Sequence, residues 1–292
     1  MSLEIFFYIF SFLLGLGVGS FLNVLTIRFR PEENFSIWQS LKGRSKCSYC
    51  QKNLKWFELI PLLSFILQKG KCRSCGASLS WQYPIVELLT GFLFLLVAWH
   101  WFGIFGSVLF CKAVFYSVIW WIYFSLFLAL TIIDLKFFLI PQVLLDIFFG
   151  LALFLNLLFT FNFLKAPPSF IGYYTNIFPK SGVFILDSLI GALVFAGFLW
   201  LLVKTTKEKA VGMGDVKMFF VLSFIFPWPD IILVFFLSFL FGAIFSLFAM
   251  LLKKKGFKSK VPFVPFIFLA VLVVFLFGFP LLKLYFSLIK FL

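Results

Sequence analysis

LFCKAVFYSVIWWIYFSLFLALTIID, residues 109–134, decides what kind of protein this chain encodes. After Lys112 no charged side chain occurs until Asp134. About 20 apolar residues are needed to cross a hydrocarbon core of about 30 Å, and this stretch is long enough. It stops on a carboxylate, and an ionisable side chain at a membrane boundary is costly and is a functional candidate by default. Comparable apolar windows lie near 5–27, 83–101, 139–161, 183–203, 229–252 and 262–280, and a shorter one at 216–226 ends at Pro227-Trp228-Pro229. The fold expected is therefore an all-α polytopic membrane protein of about eight transmembrane helices. A composition 63% hydrophobic and only 12% charged, with mean hydropathy +1.11, excludes a soluble domain. The 49 phenylalanines form no motif and are read as lipid-facing and core filler. The first window lacks a small-residue cleavage site and runs into Asn23 and Arg28, so it reads as a retained helix.

The net charge of +14 would suggest nucleic acid in a soluble protein, but its distribution says otherwise. Segments 28–80, 136, 204–217 and 253–260 hold 10, 1, 4 and 5 of the 25 lysines and arginines. The alternate side holds only Lys112, Lys165, Lys180, Lys283 and Lys290. By the positive-inside rule the first group is cytosolic and both termini lie outside. The basic excess is thus a topology signal that also favours anionic lipid head groups; no nucleic-acid partner is expected. Four regions follow: a first transmembrane helix (1–27), a cytosolic loop (28–80), a transmembrane core (81–280) and an interfacial tail (281–292). No internal repeat stands out, nor the inverted pair of interrupted helices typical of transporters. The outer loop 162–182, with Pro167-Pro168, reads as irregular.

The 28–80 loop is too small to build a good core unaided. It carries Cys47-Ser48-Tyr49-Cys50 and Cys72-Arg73-Ser74-Cys75, two C-x-x-C turns separated by 21 residues. Four thiolates from two such turns can close a tetrahedral zinc site and supply the missing folding energy. Disulfides are disfavoured on a cytosolic loop, and a redox pair lacks its βαβ context. With Cys47, Cys50, Cys72 and Cys75 all ligating, no coordination position stays open, so the zinc expected is structural. Cys111, at an outer helix start, reads as a small buried hydrophobe.

Among the eleven acidic residues, Glu4, Glu32, Glu33, Glu208 and Asp230 lie on flanks. Asp146 and Asp187 fall within or near spans and read as intramembrane polar contacts or as side chains that reach an interface. Asp134 and Asp215 match in depth, since each ends or opens a helix on the basic side. Asp215 closes Gly212-Met213-Gly214-Asp215, where glycines permit φ > 0 or a close approach of backbone to a substrate strand. Two carboxyls sharing a site resist double ionisation, so one can activate water while the other donates a proton. Gly-x-Gly-Asp alone also fits an ordinary turn with an aspartate N-cap. An ion-coupled transporter using Asp134 and Asp215, or a scaffold built on the cysteine loop, are the alternatives from other functional classes.

Taken together, these features resemble the type 4 prepilin peptidases, membrane aspartic proteases with a GxGD motif. The likeness spans most of the chain. It includes Gly19-Ser20-Phe21-Leu22-Asn23-Val24 with Arg28, and the double C-x-x-C loop with Trp56, Glu58, Ile60-Pro61 and Ser64. Ser80, Tyr83-Pro84, Val86-Glu87 and Thr90 follow, then Asp134-Leu135 with Ile140-Pro141. Gly212-Met213-Gly214-Asp215-Val216-Lys217 and Pro262-Phe263-Val264-Pro265-Phe266 complete it. Gln142 stands where the family often has aspartate, and Val264 where glycine is expected. The resemblance implies catalytic Asp134 and Asp215, supported by Gly212, Gly214 and Lys217. It implies an endopeptidase of the bacterial inner membrane that cuts the basic leader of prepilins or pseudopilins after glycine, at the cytosolic face. It further implies a role in type IV pilus assembly or protein secretion, with N-methylation of the new N-terminus from S-adenosylmethionine as a second activity. Glu32, Glu33 and Glu58 are the local acidic candidates for contacting such a leader.

Overall fold

The computed structural model describes residues 2–30, 37–41, 43–163, 181–208, 211–252 and 261–289. The Pro167-Pro168 loop, Glu32, Glu33, Lys209 and the lysine cluster at 253–260 lie outside these residues. Among the described residues the regular structure is helical, with two isolated β-bridges and no strand. The helices are α1 Ser2–Arg28, α2 Ile37–Ser40, α3 Leu63–Leu67, α4 Gln82–Phe105, α5 Phe110–Phe137, α6 Gln142–Thr160, α7 Phe184–Gly191, α8 Gly197–Thr206, α9 Met213–Ile225, α10 Ile231–Leu251 and α11 Val264–Ile289. Seven segments are long and apolar enough to cross a membrane, with α7 and α8 joined by the π-helical turn Ala192–Ala196 into one span, Phe184–Thr206. This is a multi-pass membrane protein. The eighth window became α9, a helix of 13 residues. At about 1.5 Å per residue it is about 20 Å long, shorter than the hydrocarbon core.

The chain divides into two compact units, Met1–Ile132 and Ile133–Leu292. In the first, α1 and α4 pack along most of their length because small residues let the backbones approach. A Cβ at Gly15 would lie 2.7 Å from the Thr90 carbonyl oxygen, and one at Gly19 would lie 2.8 Å from Glu87 Cα. Polar groups pin one end of this pair. Asn23 Nδ2 donates to the Tyr83 carbonyl (3.1 Å), and Gln82 Nε2 donates to Asn23 Oδ1 (3.2 Å). Arg28 caps the start of the loop by donating to the Ser40 carbonyl (3.2 Å). Along α5, Trp121 lies flat on Phe94, centroids 5.0 Å apart, and its Nε1–H donates to the Phe94 carbonyl (3.0 Å). An indole N–H has no water to turn to at such a place, so this bond fixes the ring's rotamer.

In the second unit most of α9 is buried, with Met213, Lys217 and Phe220 left exposed. Met218, Phe219 and Leu222 are fully buried, and Val216, Val221, Ser223 and Phe224 nearly so. Asn156 of α6 ties three helices together, donating to Ser188 Oγ on α7 (2.6 Å) and to the Phe224 carbonyl on α9 (3.1 Å). α10 meets α11 and the residue before it through tilted aromatic pairs, with Phe239 and Phe263 centroids 4.9 Å apart and Phe245 and Phe266 5.3 Å apart. α11 runs on through Pro280 to Ile289 as one helix.

The α1–α4 contact leaves no room for a side chain. Gly19→Val should therefore lower the thermal unfolding midpoint in detergent, at a cost of about 1–3 kcal/mol from overpacking. Gly17→Val, whose Cβ would meet nothing within 4 Å, should change it little.

Candidate active site and metal centre

α5 ends where Phe138 turns left-handed (φ 53°) and its N–H donates to the Asp134 carbonyl (2.9 Å). That places the Asp134 side chain in the last turn, buried at 6% exposure. Its Oδ2 accepts from the backbone N–H of Val264 (3.1 Å), and the Phe263 N–H is a second backbone partner. These N–H groups open α11, where four donors lack intrahelical acceptors and the helix dipole favours negative charge. A carboxylate at an apolar boundary thus replaces lost hydration with the start of another helix.

Asp215 is the third residue of α9, not its N-cap. Gly212 is the capping residue, in extended conformation at φ −83°. The Asp215 carboxylate reaches back to accept from the Gly212 N–H (3.2 Å), while its own N–H donates to the Gly212 carbonyl (3.1 Å). Half of a capping box results. Burial pushes the Asp215 carboxyl up most, the Gly212 N–H pulls it down, and the charge of Asp134 adds a smaller upward push.

Two further contacts join the elements that carry these aspartates. Ile140, on the turn after α5, lies against Gly214; a Cβ there would sit 2.9 Å from Ile140 Cδ1. Lys217 Nζ donates to Gln142 Oε1 (2.6 Å), and Gln142 Nε2 donates to Asp146 Oδ1 (2.7 Å). The Gln142 amide therefore bridges a cation on α9 and a carboxylate on α6.

The cysteine loop is built from two copies of one turn. Lys46-Cys47-Ser48-Tyr49-Cys50-Gln51-Lys52-Asn53-Leu54 and Lys71-Cys72-Arg73-Ser74-Cys75-Gly76-Ala77-Ser78-Leu79 match at both cysteines, the leading lysine and the final leucine. The Gln51 N–H donates to the Cys47 carbonyl and Gly76 to Cys72 (3.0 and 2.9 Å); Cys47 donates to Lys52 and Cys72 to Ala77 (3.0 and 2.8 Å). The bridges Lys46↔Asn53 and Lys71↔Ser78 repeat the same correspondence. Gln51 and Gly76 both take positive φ, 58° and 70°. The four sulfurs converge within 4.8 Å of one another, and Cys47 and Cys75 are 3.9 Å apart. Four Zn–S bonds of about 2.3 Å give sulfur separations of about 3.8 Å in a tetrahedron, so the donor set fits a zinc-sized ion. Backbone N–H groups of Cys75 and then Ser74 pull the Cys72 thiol down to about 7. At Cys75 the Ala77 N–H pulls the same way, but burial and the sulfurs of Cys72, Cys50 and Cys47 outweigh it and push the thiol up to about 11. Four thiolates this close need a cation among them.

Residues 13–101 match the bacterial peptidase A24 N-terminal domain, and residues 121–247 match the type IV leader peptidase family. A prepilin leader peptidase/N-methyltransferase of Bacillus subtilis is 30% identical over 274 residues, covering 94% of this chain and 96% of the relative. Proteins of the same name are 30% identical in Aeromonas salmonicida (94% and 92% covered) and 28% identical in Pseudomonas aeruginosa (93% and 91% covered). The chain belongs to the type IV leader peptidase family. It is a multi-pass inner-membrane aspartic peptidase, and the ion-coupled transporter alternative finds no support. No solved structure matches it significantly.

Within this leader peptidase several sequence expectations change. Neither motif glycine uses positive φ: Gly212 is extended and Gly214 is helical, and the space beside Gly214 is taken by Ile140. Val264, a departure from the family pattern, serves Asp134 through its backbone, so the bond itself does not depend on its side chain. Gln142, the other departure, is a bridge that only the pairing of α6 with α9 reveals. Asp146 is exposed, whereas Asp187 is buried and accepts the Ser181 N–H (2.8 Å). Cys111 is exposed, not buried. Glu58 accepts the Lys55 N–H (2.8 Å) and caps its own 3-10 turn.

Because Gly214 and Ile140 touch, Gly214→Ala and Ile140→Ala should not be additive. A double-mutant cycle on unfolding in detergent should return a coupling of roughly 1 kcal/mol, with the alanine at 214 better tolerated once Ile140 is trimmed.

Proposed function

We propose that this leader peptidase cleaves the short basic leader of type IV prepilins or pseudopilins at the cytosolic membrane face, with Asp134 and Asp215 as the catalytic pair. The observation that supports the reading is geometric: Ile140 and Gln142, which follow Asp134 in the chain, contact Gly214 and Lys217 on either side of Asp215. One carboxyl, ionised, takes a proton from a water that attacks the scissile carbonyl. The other, protonated, donates a hydrogen bond to that carbonyl and then passes a proton to the departing amine. Because the carboxyls share a site, protonation belongs to the pair rather than to either residue. Backbone N–H groups of Val264 and Gly212 hold each side chain without contributing a titrating group. Gly212, Gly214 and Lys217 position α9: the first as cap, the second by its contact with Ile140, the third by its bond to Gln142.

The same reading places the basic loops in the cytosol and both termini outside. The four regions 1–27, 28–80, 81–280 and 281–292 serve as entry helix, zinc loop, catalytic core and interfacial tail. Membrane lipids are its surroundings and nucleic acid is not a partner. Zinc held by Cys47, Cys50, Cys72 and Cys75 is structural, supplying folding energy to a loop without a core of its own. N-methyl transfer from S-adenosylmethionine, the second activity in the relatives' printed name, extends the proposal. Among the described residues, a cavity of about 250 Å³ lined by Phe239, Gly242, Ala243, Ser246, Val261, Phe263 and Phe266 has no charged side chain to pair with that cofactor's charged amino-acid end.

Asp134→Asn and Asp215→Asn should each reduce leader removal at least roughly 10²-fold while leaving the purified chain folded, measured by mobility shift of a prepilin substrate. Near-normal trimming by either folded variant would remove the pair from the mechanism. Metal analysis of the purified chain should give about one zinc, lost in Cys47→Ser together with protection of the loop from protease. A full complement of zinc in that variant would overturn the ligand set.

A further inference from the structure

We propose that α3 is an interfacial anchor, inserting its apolar face into the anionic leaflet on the basic side of the membrane and so seating the cysteine loop on the bilayer. The argument begins with Leu62, whose N–H donates to Glu87 Oε2 (2.9 Å). Glu87 lies five residues into α4, a membrane-spanning helix that starts at Gln82. At about 1.5 Å per residue that is about 8 Å along the axis, so Leu62 is held level with the first turns of the span. One contact keeps α3 there and another shapes its entry. The Phe65 ring packs against Trp81, the residue preceding α4, with centroids 5.3 Å apart, and Leu63 N–H donates to the Pro61 carbonyl (2.6 Å). Leu62 itself takes φ 59°, a conformation rare for a leucine, so the chain enters α3 through a strained turn that these bonds secure.

The face left over is apolar. Leu63, Ile66 and Leu67 fall at i, i+3 and i+4, one side of the helix, and are 58%, 67% and 70% exposed. Ser64 and Phe65 point the other way and are half-buried. Trp81, 70% exposed, has the amphipathic ring that settles at a head-group boundary. Facing water, three adjacent aliphatic side chains would be unfavourable; at the depth of the first turns of α4 the medium is lipid. The charge around them selects the lipid. Between residues 43 and 80 the loop carries Arg44, Lys46, Lys52, Lys55, Lys69, Lys71 and Arg73 against one acidic residue, Glu58. Lys69 lies two residues beyond α3 and is exposed, placed to reach head-group phosphates while the leucines insert. The partner is therefore an anionic bilayer surface, and no contact with a prepilin is required.

The test uses the full chain in nanodiscs of phosphatidylglycerol and phosphatidylethanolamine. A benzophenone amino acid is placed at position 66 in place of Ile66, at position 63 in place of Leu63, and at the exposed position 52 in place of Lys52 as control. After irradiation, intact mass measurement should show phospholipid adducts at 63 and 66 several-fold above those at 52. Zinc content measured on each preparation establishes that the loop is folded. Adducts at 63 and 66 no greater than at 52, or adducts to a polypeptide instead of lipid, would overturn the proposal. Since the readout involves no leader cleavage, it stands or falls separately from the catalytic assignment.

Discussion

The hydrogen bond from the start of α11 to Asp134 is the constraint around which the second unit is arranged. A carboxylate at the edge of an apolar medium must find donors, because the cost of leaving it bare exceeds what any one helix contact returns. Other buried hydroxyls in this chain find theirs locally. Ser11, Thr26, Thr90, Ser117 and Thr131 each donate to a carbonyl four residues earlier on the same helix. An aspartate cannot do so, since it has no proton to give when ionised. Asp134 therefore draws a distant helix N-terminus to itself, across 130 residues of sequence. Asp215 solves the same problem within its own first turn. The two solutions differ in consequence: the first fixes tertiary structure, and the second fixes only the entry to α9.

This difference explains why α9 can be short. A helix of 13 residues does not cross a bilayer, and its core-facing residues are enclosed by protein. What it must do is deliver Asp215 at a fixed place, and three contacts act on its first two turns. Gly214 abuts Ile140, Lys217 bonds Gln142, and Gly212 caps the end. Ile140 sits on the turn between α5 and α6 and Gln142 opens α6, both within a few residues of Asp134. The segment that follows one aspartate thus braces the helix that carries the other.

Much of this architecture was legible in the sequence, and the reasons mark where legibility stops. Span positions follow from length and hydropathy, which are one-dimensional properties, and all seven long windows became helices that qualify. The cysteines and aspartates stood out because charge and thiols are rare in this composition. What packs against what did not show. A helix apolar on every side carries no stripe to mark its inward face, so neither the Gly15–Gly19 contact with α4 nor the burial of most of α9 could be read. The nine-residue repeat in the cysteine loop is hidden in the sequence for another reason. It lies in backbone hydrogen bonds, while only two cysteines, a lysine and a leucine match between copies. Gln142 was visible merely as an unexpected residue; its role needed α6 and α9 side by side.

The cysteine loop shows the same division of labour on a smaller scale. Each turn orders itself through its own N–H groups, but neither turn has a core, and the four sulfurs meet only if both turns form together. A metal at their centre would couple the two copies, so that the loop would order as one cooperative piece. Its attachment to the spans is then a separate matter of a few contacts. Glu87 takes the Leu62 N–H, Trp81 receives Phe65, and Arg28 holds Ser40 at the start. Glu87 is itself a buried carboxylate on a membrane-spanning helix, and it is satisfied as Asp134 is, by a backbone donor from a distant segment. In each unit, then, an acidic side chain at the end of a span is what ties a later or earlier piece of chain to the bundle, and hydrophobic packing fills in around that tie.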